Sequence, residues 1–260
     1  MKIGVTQIIL GNMSVDETID LCQVAGYEAV ELTVREGTDL HPDLSESELK
    51  SISAKFSAAN IEIGSIAGLK GNLLTLDNKE RNEGKQALAH GLEIAGIMDV
   101  SAILVHPGQL TVDGTYQAVW GNLVTDIKDL VDLAKREQVA ISLENVWNKF
   151  LLSPKEMREI IDEIDSEWVG AYLDTANMMA YGYPEQWIRE LGSRIKRVHF
   201  KDFNRREHRF VNLLDGDTDW STVVVELRQA GYDQPVIHEV GGDRDAQIDL
   251  ARRMRQIVAM

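Results

Sequence analysis

Four residues have the types from which a divalent-cation centre with proton-transfer chemistry can be built: Glu144, Asp174, His199 and Glu239. Each closes a short apolar run, at residues 139–143, 169–173, 195–198 and 235–237, the last with His238 interposed. Three carboxylates and an imidazole at one point repel one another unless a cation lies between them. An oxygen-rich set with one nitrogen and no thiolate suits one divalent ion in near-octahedral geometry, Mn2+ first and then Mg2+ or Co2+. Zn2+ is also compatible, although structural zinc sites favour Cys and more His. Such a set leaves positions open for substrate or water. Taken singly, a carboxylate at the end of an apolar run is commonly a helix cap, and a lone histidine is commonly a hydrogen-bonded core residue. Four of them at the same place in repeated units argue for a shared centre.

The units that must position them repeat along the whole chain. The stretch Ile141-Ser-Leu-Glu-Asn-Val-Trp-Asn-Lys-Phe-Leu-Leu-Ser-Pro154 shows the plan: buried strand, polar residue at its C-terminal end, loop, helix. Ser153-Pro154-Lys155-Glu156 is a helix start, with Ser at the N-cap, Pro at the first helical position and Glu completing a capping box. Ser14 with Glu17 and Ser45 with Glu48 repeat that signal, and Gly26 ends the first helix. Strands are predicted at 2–6, 29–32, 61–64, 101–105, 139–143, 169–173, 195–198 and 235–237. Helices are predicted near 14–25, 45–59, 79–98, 115–137, 154–164, a short one from 184, 219–230 and from 245, and residues 64–78 are predicted to be a long loop over the strand ends. Strands that read as unbroken Val/Ile/Leu runs are buried on both faces, the parallel case. Eight such units in one 260-residue chain predict a single-domain (β/α)8 TIM barrel over residues 1–260. No glycine-rich nucleotide turn follows the first strand, which separates it from a doubly wound sheet.

Composition narrows the ligand. A formal charge of −15 argues against nucleic acid as partner. A small polar substrate fits better. The only cysteine, Cys22, lies in an apolar helical pattern, so no internal disulfide forms. No apolar run approaches membrane-spanning length and the first residues run straight into a strand, so the expected location is the cytoplasm, with no membrane partner. A homodimer or homotetramer packed through the outer helices is the expected assembly.

In a barrel the C-terminal strand ends share one rim, so further candidates follow from position. Glu31 and His106 end the second and fourth strands, and Trp147, close after Glu144, can wall a sugar pocket. Residues 194–209 hold Arg194, Lys196, Arg197, Lys201, Arg205, Arg206 and Arg209, a local positive excess that reads either as a solvated face or as an anion clamp after the seventh strand. Lys201, after His199, and Asn177, after Asp174, are further substrate-binding candidates.

Taken together, Leu143-Glu144-Asn145, Leu173-Asp174-Thr175-Ala176-Asn177, Val198-His199-Phe200-Lys201-Asp202 and His238-Glu239-Val240 resemble the xylose isomerase-like superfamily of barrels, within it the sugar and sugar-phosphate isomerases and 3-epimerases. The resemblance implies that Glu144, Asp174, His199 and Glu239 bind one divalent ion, that Glu144 and Glu239 also move protons, and that Arg205 contacts a substrate hydroxyl. It departs from the free-ketohexose 3-epimerases, which carry His where this chain has Asn177 and a further Glu soon after the first metal ligand. The DNA-repair branch needs additional His and Asp ligands that are missing here. The implied activity is a metal-dependent isomerase or epimerase of a sugar or sugar phosphate, working through an enediolate. The alternatives are a dehydratase of a keto-polyol, such as a keto-inositol or dehydroshikimate, on the same barrel and a non-catalytic sugar-binding barrel.

Overall fold

A computed structural model describes residues 1–260. Seven parallel strands run side by side: β1 (Ile3–Thr6), β2 (Ala29–Thr33), β3 (Glu62–Ala67), β4 (Ala102–Val105), β5 (Ala140–Glu144), β6 (Val169–Asp174) and β7 (Ile195–Phe200). A hairpin of β8 (Asp202–Asn204) and β9 (Arg209–Val211) stands outside that sheet, and β10 (Val236–His238) then pairs with β7 and β1 to close the barrel. Around it lie α1 (Val15–Ala25), α2 (Glu46–Ala58), α3 (Asn78–Ile97), α4 (Tyr116–Lys128), α5 (Val131–Glu137), α6 (Pro154–Ile164), α7 (Pro184–Leu191), α8 (Trp220–Gln229) and α9 (Arg244–Val258). One contiguous core of 63 buried residues joins barrel and helices, so the molecule is a single-domain (β/α)8 TIM barrel. No helix is long and apolar enough to cross a membrane.

The start signals act as the sequence predicts. Ser14, Ser45 and Ser153 each accept from the backbone of the Glu three residues on, and each Glu reaches back, so orphan amides at three helix starts are satisfied locally. Gly26 ends α1 in the left-handed region, where a side chain would be strained. Cys22 is fully buried in α1.

Three predictions need correction. β3 runs on through Ala67, where the sequence suggests a loop from Gly64. The glycine is the extra residue of a register shift, because Val30 pairs with Ile63 but Glu31 pairs with Ser65. The single helix predicted over 115–137 is two, broken at Asp129 and Leu130 with neither Gly nor Pro to announce it. The hairpin of β8 and β9 lies where no strand is predicted.

Two glycines let strands approach closely. A Cβ on Gly4 would meet the carbonyl oxygen of Ala29 at 2.8 Å, and one on Gly170 would meet that of Arg194 at 2.3 Å. The barrel interior is unusually polar for this architecture, whose core is commonly branched aliphatic side chains. Thr6, Glu31, Ser65, Ser142, Tyr172, Arg197 and His199 are all buried polar groups on barrel strands.

Candidate metal centre

The parallel closed sheet brings the ends of β5, β6, β7 and β10 to one side, and with them the four predicted residues. Glu144 and Asp174 are the last residues of their strands, His199 is one short of the end of β7, and Glu239 directly follows β10. One donor atom from each can be chosen so that all lie within 4.8 Å of one another. His199 Nδ1 is 3.3 Å from Glu144 Oε1 and 3.6 Å from Glu239 Oε2.

Asp174 shows how the loop prepares the set. Its Oδ1 accepts the backbone N–H groups of Ala176 (2.9 Å) and Asn177 (2.7 Å), while buried Oδ2 has no hydrogen-bond partner. A buried carboxylate oxygen without a hydrogen bond, beside two further carboxylates and with only the Lys201 ammonium at 3.4 Å, fits a cation. The Asn145 side chain holds the geometry from the neighbouring strand, accepting from Asp174 N at 2.8 Å and donating to Asp174 O at 3.0 Å. Asn177 Nδ2 donates in turn to Asn145 O at 2.9 Å. The residue after a buried strand-end acid is the one sequence signal that could have flagged Asn145.

Electrostatics agree with the geometry. Burial pushes the Glu144 carboxyl up to about 7, against the lowering effect of His199 and with Asp174 and Glu239 adding to the rise. Burial alone would lower His199, but the carboxylates of Glu31, Glu144 and Glu239 hold it well above the usual imidazole range. Lys201 is held above its ordinary value by Asp174, Glu239 and Glu144, which overcome burial. Its Nζ lies 3.4 Å from Asp174 Oδ2, 3.2 Å from Glu239 Oε2 and 3.2 Å from Asn177 Oδ1, and 4.6 Å from the centre of the Phe210 ring. The ammonium therefore stands at the edge of an acidic cluster, between it and a cleft of about 680 Å3 lined by Lys201, Asn204, Arg209, Phe210 and Glu239 among others.

The other predicted residues divide. Trp147 is 46% exposed, donates its indole N–H to Asn177 O and packs against His208, Phe210 and Phe203, so it forms a wall with the unpredicted hairpin. His106 is exposed after β4, with Nδ1 accepting from Gly108 N. Glu31 is 0% exposed, with both oxygens engaged by protein donors, and so lies behind His199 rather than in the opening. Arg205 donates to the carbonyls of Met179 and Gly182 and stacks on Tyr183; it would have to release both to reach a substrate. The cationic run does not form one clamp. Arg194 precedes β7 and pairs with Asp162, and Arg197 is buried within the strand against Gly64 O and Ser101 Oγ, so both lie towards the strand's start, while Lys201 follows its end.

In the sequence His238 stands out only as Glu239's neighbour. It is fully buried, and burial pushes its imidazole down to about 3, so it is neutral. Its Nε2 donates to the Tyr27 hydroxyl, which donates to Gln247 O, and its Nδ1 accepts from Val240 N. The contacts pin the end of β10 to the outer helices and thereby fix the backbone that carries Glu239.

A family model described as the xylose isomerase-like TIM barrel matches residues 19–257. An uncharacterised protein of Methanocaldococcus jannaschii is 25% identical over 261 residues, covering 95% of this chain and 86% of its own. An L-ribulose-5-phosphate 3-epimerase, UlaE, of Salmonella paratyphi A is 22% identical over 231 residues, covering 86% of this chain and 81% of its own. Among solved structures, that of the IolI protein with a bound zinc atom superposes with a TM-score of 0.84 at 19% identity, over 100% of this chain and 98% of that one.

Proposed function

Because the chain belongs to the xylose isomerase-like TIM barrel family, we propose that it is a divalent-metal-dependent epimerase or isomerase of a ketose or ketose phosphate, with Glu144, Asp174, His199 and Glu239 as metal ligands and the two glutamates as proton-transfer groups. The observation that carries the reading is the convergence of these four side chains, with Asp174 Oδ2 left without a hydrogen bond. The epimerase among the relatives and the zinc-bound similar structure support it. Mn2+ is the proposed ion, on the oxygen-rich donor set. Bound there, the ion would polarise adjacent carbonyl and hydroxyl oxygens of the sugar and so acidify the C–H between them.

The protein's own groups then divide the work. A carboxylate oxygen of one glutamate removes the proton, and the other glutamate returns one from the opposite face, inverting a carbon; return to the neighbouring carbon gives aldose–ketose isomerisation instead. General acid–base transfer of this kind contributes about 10²–10⁴-fold. Glu144 is almost closed from water while the Glu239 side chain is 21% exposed and lines the cleft, so the two present unlike environments to the same substrate. Lys201 holds a sugar oxygen beside Glu239, Asn177 keeps that ammonium in place, and the faces of Trp147 and Phe210 cover the sugar's C–H surface. His106 meets the substrate at the mouth. The acidic, reduced-cysteine chain is proposed to act in the cytoplasm.

The test is a panel of ketoses and ketose phosphates with chiral product analysis, run on chelator-treated protein and again after adding back Mn2+. An epimer or aldose that forms only with the ion supports the reading. Equal product with and without the ion, or none from any sugar, contradicts it.

A further inference from the structure

The geometry points to Glu31 as a positioning residue that fixes the tautomer and orientation of His199, so that Nδ1 is the nitrogen offered to the metal. The inference rests on the metal-centre reading above and deepens it. Glu31 stands on β2, across the imidazole from the other three ligands: its Oε1 is 3.1 Å from His199 Nε2, while Nδ1 faces Glu144 and Glu239.

Three hydroxyls already converge on this carboxylate. Thr6 Oγ1 donates to Oε1 at 2.7 Å, and Ser65 Oγ and the Tyr172 hydroxyl donate to Oε2 at 2.6 and 2.7 Å. Glu31, Ser65, Thr6, Tyr172 and His199 are all 0% exposed. An ionised carboxylate can only accept, so the fourth neighbour, His199 Nε2, must carry the proton and donate it. Nδ1, which faces Glu144 and Glu239, is then the nitrogen that a cation in the cluster would take in place of a proton. The ring is also held in place, because Tyr172 packs against it with centroids 4.4 Å apart while its hydroxyl grips the same carboxylate.

The fold itself supplies this arrangement. The register shift at Gly64 sets Ser65 opposite Glu31, and Thr6 lies beside Glu31 in the pairing of β1 with β2. A buried carboxylate is costly unless donors surround it, and Oε2 keeps the Tyr172 hydroxyl even without Ser65. A buried acid that tethers the far nitrogen of a metal-binding histidine typically contributes about 10–100-fold to metal affinity.

Two measurements test it. In the wild-type protein loaded with Zn2+ and labelled with 15N at histidine, the ring spectrum is expected to show Nδ1 bound to metal and a slowly exchanging proton on Nε2; metal on Nε2 overturns the inference without any variant. In competition titrations with Mn2+, Glu31→Gln is expected to bind about 10–100-fold more weakly, whereas Ser65→Ala, which keeps the carboxylate, stays close to wild type. A folded Glu31→Gln protein with wild-type affinity overturns the role of Glu31 while leaving the metal centre standing. Absence of metal uptake by the wild type overturns both.

Discussion

The residues of the centre differ in what they show before the chain is folded. Glu144, Asp174, His199 and Glu239 are legible because each sits where an apolar run stops, and in a parallel barrel that position lies on the C-terminal rim. Glu31 has the same sequence signature and another place: its strand carries it beneath the imidazole, where Thr6, Ser65 and Tyr172 saturate it. Nothing local in the sequence separates the two cases, since the difference lies in three hydroxyls from three other strands. Arg205 is a similar case, because the Met179 and Gly182 carbonyls that hold it belong to a loop with no regular period. Removing the charge at Glu239 probes the chemistry most directly at this scale. With Mn2+ in saturating excess, Glu239→Gln is expected to lower turnover by about 10²–10⁴-fold, measured as initial rate on the best ketose of the panel. Unchanged turnover would identify Glu239 as a structural ligand.

At the scale of elements, the capping boxes and the Pro at the start of α6 are local chemistry and act as read. What the sequence conceals is set by neighbours. Gly64 looks like the end of a strand because glycine has no side chain to pack, yet a register shift keeps β3 going to Ala67 and delivers Ser65 to Glu31. The hairpin of β8 and β9 has few apolar residues of its own. It is held by buried Asp202, whose oxygens accept from Phe203 N, Leu214 N and the Trp220 indole N–H, and by Phe203 and Phe210 packing on Trp147. Close strand approach makes Gly170 the most sensitive backbone position in the wall that bears Asp174. Gly170→Ala places a Cβ 2.3 Å from the Arg194 carbonyl and is expected to destabilise the fold by about 1–3 kcal/mol or more, read from the urea midpoint at constant slope. A midpoint equal to wild type would show that β6 and β7 can part without loss.

Taken as a whole, the molecule closes two buried carboxylates, a partly exposed third and a histidine into one rim of an already acidic protein, so a cation bound there acts on the stability of the entire barrel. With one continuous core, the unfolding transition is expected to be single, and Mn2+ at about 100 times its dissociation constant is expected to add about 2.7 kcal/mol. By calorimetry that corresponds to a rise in Tm of about 5–11 °C over chelator-treated protein. A Tm indifferent to chelator would argue against a metal in the fold's own rim. The central claim, that the two glutamates of this rim pass a proton to and from a sugar carbon, is tested most directly in D2O. Metal-loaded protein is incubated with each ketose and ketose phosphate, and the recovered sugars are read by NMR. The account requires deuterium at the carbon next to the carbonyl, only with the ion present and lost in Glu239→Gln. Full metal occupancy with no exchange into any sugar would contradict it.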